Sequence, residues 1–440
     1  MTQKSRRDFI RASSLLVAGG AMPGRLAGGT VARAMGGEGI RLGLIGCGGA
    51  GQETVARLLD TTNGPVKLVA MADAFGDRIQ AAFRRLKSRH QGEVDVPKAR
   101  RFAGLDAYQR LLSLDVDLVV LAAPPAFRPL HFEAAIAAGK HVFLEVPVAI
   151  DAPGVRRVLQ TGTAATRNGL AVAVGLGHRH EPVYQETGAR LKEGIIGTPV
   201  VFRVYRNGGR LRGRRRTSGQ GELEYQLRNG HFFSWLGGEP IVERQVHDLD
   251  LGNWLLDQFP VAVNAQCGWS REGRAGQVSG DMCEQFFCEY AYKDGTRMFS
   301  QCRHLPNCWN NVSEHVHATQ GHADISGGKI YDKTGQRIWQ AKGRRRGSRQ
   351  QHDDLIKALR EGAVPNETDQ AAKSTLTAIM GRMAAYSGQV VTWQQAFRST
   401  LSLVDVDALR SCNDPAPILP DTHGLYPPPH AGPASAEPVL

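Results

Sequence analysis

The sequence predicts two domains: an α/β Rossmann domain with a doubly wound parallel sheet, then an α+β domain with an open, mainly antiparallel sheet. Between residues 40 and 177, short runs rich in Val, Ile and Leu alternate with helical stretches, as in a parallel sheet covered on both faces. The first run leads directly into a glycine-rich turn, "IGCGGAG" at 45–51. After residue 178 the β-rich runs lengthen, and most lack a helical crossover between them, which is the texture of an antiparallel sheet.

In chain order, the strands of the first domain are "IRLGLIG", "VKLVAMAD", "VDLVVLAAPP", "HVFLEVP" and "LAVAVGLG", with helices near 51–60, 76–90, 129–138 and 152–168 between them. The second domain reads "PVVFRVYRN", "VAVNAQCGW", "EQFFCEYAY", "RMFSQCRH" and "EHVHATQ", interrupted by a helix at 241–257 and followed by helices at 351–361 and 367–387. The boundaries fall at 38–177 for the Rossmann domain and 178–400 for the substrate domain, with a Pro-rich, extended tail over 401–440. With 42% hydrophobic and 22% charged residues in 440, the chain has ordinary globular composition, so disorder is not its default.

Residues 1–34 stand apart. "SRRDFIR" precedes an apolar, small-residue run, and "VARA" supplies small residues for cleavage, which resembles a twin-arginine export signal with Arg6 and Arg7 as the pair. That reading implies a periplasmic or extracytoplasmic protein exported already folded. Without these residues the net charge of +12 falls to about +7. Much of the remainder lies in the Arg runs at 210–216 and 342–349, which lack interleaved aromatics and read as solvated loops, with no nucleic-acid partner expected. No later run reaches the roughly eighteen apolar residues of a membrane span. Seven scattered cysteines without a CxxC pair signal neither a disulfide framework nor a zinc site.

Gly46, Gly48 and Gly51 have G-x-G-x-x-G spacing, after a strand and at the start of a helix. Glycines there allow a tight turn and close approach by a pyrophosphate, which the helix N-terminus receives. The second strand ends on Asp73, about 25 residues on, where a carboxylate can accept from a ribose hydroxyl and would repel a 2′-phosphate. NAD is therefore the expected cofactor, with NADP left open. Pro124 and Glu145 end later strands and are expected to border the same crevice.

In "VERQVHDLDLGNW", Glu243, His247, Asp250 and Trp254 follow at spacings of four, three and four. On one continuous helix they form a polar stripe between apolar flanks. An acid one turn from an imidazole can orient it as a general base, so His247 with Glu243 is the candidate catalytic pair. No third ligand is placed for a metal. Candidate substrate contacts are Asp250, His180 after the last parallel strand, and Tyr225, Arg228 and Asn229 in the aromatic and polar segment before the histidine helix.

The glycine turn, the strand-ending Glu145-Val146-Pro147 and the helix carrying His247 occur in an order that resembles the Gfo/Idh/MocA oxidoreductase family. The resemblance implies an NAD(P)-holding Rossmann domain, an open-sheet domain that often mediates self-association, and hydride transfer with a sugar or polyol hydroxyl. It makes Glu145 part of a Glu-Lys-Pro motif, with a cis peptide before Pro147, and His247 the catalytic histidine. Two positions depart from it: Glu243 replaces the usual Asp, and Val146 replaces the usual Lys. The implied reading is an exported sugar or polyol oxidoreductase that keeps its nicotinamide cofactor. Two alternatives stay open: a glycosidase using transient oxidation and elimination, and a binding protein that lost the chemistry with the lysine.

Overall fold

A computed structural model describes residues 39–269, 280–343 and 349–427. Residues 1–34, read above as an export signal, and part of the second Arg run lie outside the described residues. Strands β1 (Ile40–Ile45), β2 (Val66–Asp73), β3 (Arg101–Ala103), β4 (Leu118–Leu121), β5 (His141–Leu144) and β6 (Val172–Val174) form an all-parallel sheet in the order β3-β2-β1-β4-β5-β6. Leu42, Leu44, Val119, Val120, Val142 and Leu144 have no solvent exposure, because helices cover both faces. The strand order reverses between β1 and β4, and ligands of such sheets bind outside the carboxyl ends at that point.

The second sheet comprises β7 (Pro199–Gly208), β8 (Ala262–Gly268), β9 (Gln285–Ala291), β10 (Arg297–His304), β11 (Asn311–Ala318), β12 (Gly321–Asp324), β13 (Lys329–Asp332), β14 (Arg337–Gln340) and β15 (Val391–Thr392). Its order is β14-β13-β12-β11-β7-β10-β9-β8-β15. All pairs are antiparallel except β7 with β10, which lie parallel at the centre. The helix and loop segments of 209–261 separate β7 from the β8–β10 meander, and this long connection allows the parallel pair.

The domains are joined by the helix Thr368–Ser387, buried along nearly its whole length. Small residues allow its neighbours to approach closely. At Gly381 a side chain would run into the Tyr290 hydroxyl. From this helix the Thr375 hydroxyl accepts the N–H of Val148 at 3.2 Å, just beyond Pro147, and the Thr377 hydroxyl accepts from Asn253 at 3.1 Å on the histidine helix.

Two features redraw the organisation read from sequence. The helix Arg349–Arg360 falls after the second sheet in the chain, yet Leu355, Ile356 and Leu359 pack into the core built on β1 and β2. The tail is not simply extended: Val406 and Tyr426 are buried, and Tyr426 packs edge-on against Phe233 at 4.9 Å.

Candidate active site

Gly46 leaves β1 with φ +97°, and a side chain there would strike the Ala122–Ala123 backbone. At Gly51 it would strike the Gly46 carbonyl. Gly48 is different: nothing lies within 4 Å of its missing side chain. It precedes the helix Gly49–Leu59, whose first turn bears no acid. An open, acid-free helix start over a turn that only glycines can make suits a pyrophosphate.

Asp73 ties this turn to β2. Its Oδ2 accepts the Cys47 N–H at 2.7 Å and its Oδ1 the Phe75 N–H at 2.9 Å. Burial pushes its carboxyl up, against the Phe75 N–H, Arg78 and the Cys47 N–H. Each oxygen keeps lone-pair capacity, and Asp73 lines a narrow cleft of about 50 Å³ with Gly46, Phe75, Arg78 and Pro124. Leu227 closes this cleft from the helix Glu222–Arg228 of the second domain. Arg228 holds that helix down: its guanidinium binds Asp77 through two 3.0 Å hydrogen bonds and lies 3.9 Å over the Phe75 ring.

A second crevice, of about 330 Å³, opens beyond β5 and β6 and is lined by Thr54, Glu145, Gly175, His178, Arg206 and His247 among others. Glu145 follows β5. The Thr54 hydroxyl donates to its Oε1, and a side chain at Gly175 would press on its Oε2. The Val146–Pro147 peptide is cis. Val146 is itself 7% exposed, packs into the main core and offers the crevice neither charge nor donor.

His247 makes no hydrogen bond to another side chain among the described residues, and its ring lies edge-on to His178 at 6.1 Å. Burial pulls its pKa down to about 3, aided by Arg206, His178 and Arg128 and opposed by Asp248. At neutral pH it is an uncharged imidazole. Behind it, Arg206 on β7 grips Asp248 with two 2.6 Å hydrogen bonds. The carboxylates of Asp248 and Glu314 and the ring of His178 lie within 4.8 Å of one another. In this cluster the Arg206 guanidinium supplies the cation.

The structure corrects the pairing of His247 with Glu243. The predicted continuous helix is two, Glu239–Glu243 and Val246–Leu256, so the four-residue spacing crosses a break. At that break the Gln245 N–H reaches back to the Pro240 carbonyl at 3.1 Å. Glu243 instead pairs with His231. Burial pushes the Glu243 carboxyl up, but His231, Arg244 and Arg128 outweigh it and the net direction is down.

The residues expected to contact substrate are engaged within the protein. Asp250 is 1% exposed, held by Arg179 through two 2.8 Å bonds and by the Ser374 hydroxyl at 2.6 Å. His180 has both ring nitrogens engaged, with Asp354 at 2.9 Å and Glu367 at 3.2 Å. Tyr225 is buried under Arg216 and stacked parallel to Tyr426 at 6.5 Å. Asn229 spends its side chain on the backbone of Arg214 and Tyr225. Tyr225, Arg228 and Asn229 thus build the cover of the narrow cleft. Pro124 and Glu145 border different openings, Pro124 the narrow cleft and Glu145 the larger crevice.

Sequence reasoning passed over Arg128, Arg206 and Asp248. Arg128 is buried, donating from Nε to Ala123 O at 2.9 Å and from Nη1 to Pro147 O at 2.6 Å. Burial lowers its pKa to about 10, against the pull of Glu145 and Glu243. An Arg between two prolines in an otherwise apolar "PPAFRPLHF" was the available signal.

Residues 40–176 match the model of an oxidoreductase family with an NAD-binding Rossmann fold, the Gfo/Idh/MocA family. Inositol 2-dehydrogenase of Acidothermus cellulolyticus is 28% identical over 237 residues, which cover 54% of this chain and 59% of the relative. The chain thus spans little more than half the length of the curated relatives it matches. Levoglucosan dehydrogenase in complex with NADH and levoglucosan superposes with a TM-score of 0.63 at 16% identity, covering 81% of this chain and all of that one. Aldose–aldose oxidoreductase from Caulobacter crescentus gives 0.61 at 17% identity, with the same coverage. The two-domain fold is the one these structures share, and the segment 40–176 is similar to the NAD-binding Rossmann domain that the family model describes.

Proposed function

We propose that this protein is an oxidoreductase acting on a sugar or polyol hydroxyl, with His247 as proton acceptor. One observation carries it: an uncharged imidazole opens onto the crevice that also holds Glu145, at the carboxyl ends of strands whose first turn suits a pyrophosphate. The bound nicotinamide would take hydride from the substrate carbon. His247 accepts the hydroxyl proton, and its open ring nitrogens leave room for that bond. Glu145, held by Thr54, accepts from a further hydroxyl and fixes the sugar's orientation. Burial, aided by Arg206, keeps His247 unprotonated until the proton arrives. Relatives and neighbours named as inositol, levoglucosan and aldose enzymes support the substrate class.

The cover over the narrow cleft favours a cofactor that stays bound between turnovers. Arg228 and Leu227 would close over its adenosine end, and Tyr426 of the tail backs the helix that carries them. Arg6 and Arg7 support export by the twin-arginine route, where a retained cofactor would be required. The exposed side chains Val200, Phe287 and Val312 on the second sheet support self-association through it.

Denaturing the purified protein and identifying the released nucleotide by mass spectrometry tests the first step. A screen of sugars and inositols, monitored for nucleotide reduction, tests the second. A stoichiometric NAD(H) and a keto product are expected. Absence of bound nucleotide together with no NAD-dependent turnover would overturn the proposal.

A further inference from the structure

The second domain brings two cysteines together that the sequence scatters. Cys267 lies on β8, and Cys283 lies two residues before β9. Their sulfurs are 2.7 Å apart, inside van der Waals contact and short of a bond. The register that places them is firm: Gly268 pairs with Gln285, Cys267 with Phe286, and the Glu284 N–H donates to Gly268 O at 2.9 Å.

The two thiols differ in access. Cys283 is fully buried, whereas Cys267 is partly exposed and borders an open depression of about 270 Å³ with Gln266, Gln285 and Phe287. A reagent can reach the first sulfur from solvent, and the second waits behind it. This separates the pair from Cys47, Cys288 and Cys302, each buried and without a second sulfur at such a distance among the described residues.

We propose that Cys267 and Cys283 form a redox-active pair that closes to a disulfide by exchange with an external disulfide. Cys267 loses its proton to solvent, and its sulfur attacks the donor disulfide, breaking that S–S bond and releasing one donor thiol. The Cys283 sulfur then displaces the second donor thiol from the mixed disulfide, giving up its own proton. One intramolecular S–S bond forms, two cysteines are oxidised, and the donor is reduced to two thiols. The bond closes a loop of fifteen intervening residues and anchors the start of β9 to β8. It also bears on the site wall. The Cys283 N–H donates to Glu239 Oε1 at 3.0 Å, and Glu239 heads the short helix that ends at Glu243.

The test uses the full chain, reduced and then equilibrated with oxidised glutathione. Trypsin cuts after Arg271 and Arg274, which separates the two cysteines in sequence, so a linked peptide pair is diagnostic without reduction. The expected result is a Cys267–Cys283 cross-link, a fall from seven to five titratable thiols in denaturant, and a Tm raised by about 3–6 °C that dithiothreitol reverses. Cys267→Ser should abolish all three changes, and its partly exposed position makes it the variant that folds; Cys283→Ser should instead trap glutathione on Cys267. Seven thiols remaining, a persistent Cys267–glutathione adduct in the unmutated chain, or a cross-link to another cysteine would each overturn the proposal.

Discussion

Replacing His247 by Asn should flatten part of the acid sensitivity of folding. The imidazole has a pKa of about 3 in the fold, against about 6.5 in an unfolded chain. Between those values the unfolded state binds the extra proton, so this residue's cost to stability grows as pH falls through the window and is absent at pH 7. From pH 7 to pH 4.5 the ceiling is about 2.7 kcal/mol, at about 1.4 kcal/mol for each pH unit crossed below 6.5. The ring opens onto a water-accessible crevice, so screening reduces the expected figure to about 1–1.5 kcal/mol. Urea unfolding of the unmutated chain and His247→Asn at both pH values measures it as the difference between two differences. His131, whose pKa burial also lowers to about 3, is present in both proteins and cancels. Parallel pH profiles, or a His247 ring resonance titrating near 6.5, would refute the reasoning and remove the argument for a neutral base.

Val146→Lys should raise kcat on the best substrate by up to about a hundredfold, since an ammonium near a developing alkoxide is worth about 3 kcal/mol; steady-state kinetics with no gain would show that the site no longer uses that charge. Arg128→Met leaves the Ala123 and Pro147 carbonyls without donors and should cost about 2–4 kcal/mol in urea unfolding. Asp248→Asn removes the carboxylate that binds the Arg206 guanidinium through two hydrogen bonds, leaving it only the field of Glu314, and should cost about 3 kcal/mol by the same assay. Arg228→Ala removes a partly exposed bidentate pair with Asp77, an ion pair with Glu224 and one ring contact, so released nucleotide followed by fluorescence should dissociate about fivefold faster, equivalent to about 1 kcal/mol.

The parallel sheet was legible because each strand is a short apolar run bounded by turn residues, and the glycine turn because its spacing sat in strand-to-helix context. The stripe Glu243–His247–Asp250 misled because periodicity assumes one unbroken helix. The break at Arg244–Gln245 depends on the preceding corner, where Gly238 and Glu239 both take positive φ and Pro240 starts a new helix. His180 was the expected substrate contact, but the 3-10 turn Gly177–His180 sends His178 to the crevice and His180 to Asp354 and Glu367. Arg206 was invisible for a simpler reason. In "VVFRVYRN" both arginines alternate with apolar residues, and only pairing with β10 and β11 decides which one meets the histidine helix.

Val146 and Arg128 belong to one arrangement. A lysine at 146 would place positive charge beside Glu145 from within the strand end. Here a buried cation, Arg128, reaches the same turn from the helix that precedes β5 and spends its donors on the Ala123 and Pro147 carbonyls. Its field still acts on Glu145 and Glu243 together, so two acids of the site share one buried cation that makes no hydrogen bond to either. A guanidinium so engaged helps to hold the Glu243 carboxyl down but cannot move to follow a substrate oxygen, whereas an ammonium on a flexible stem can. The chemistry of this crevice therefore leans on the neutral imidazole of His247 for the proton. Burial first, then the fixed cations Arg206 and Arg128, keep that imidazole unprotonated against the opposing pull of Asp248.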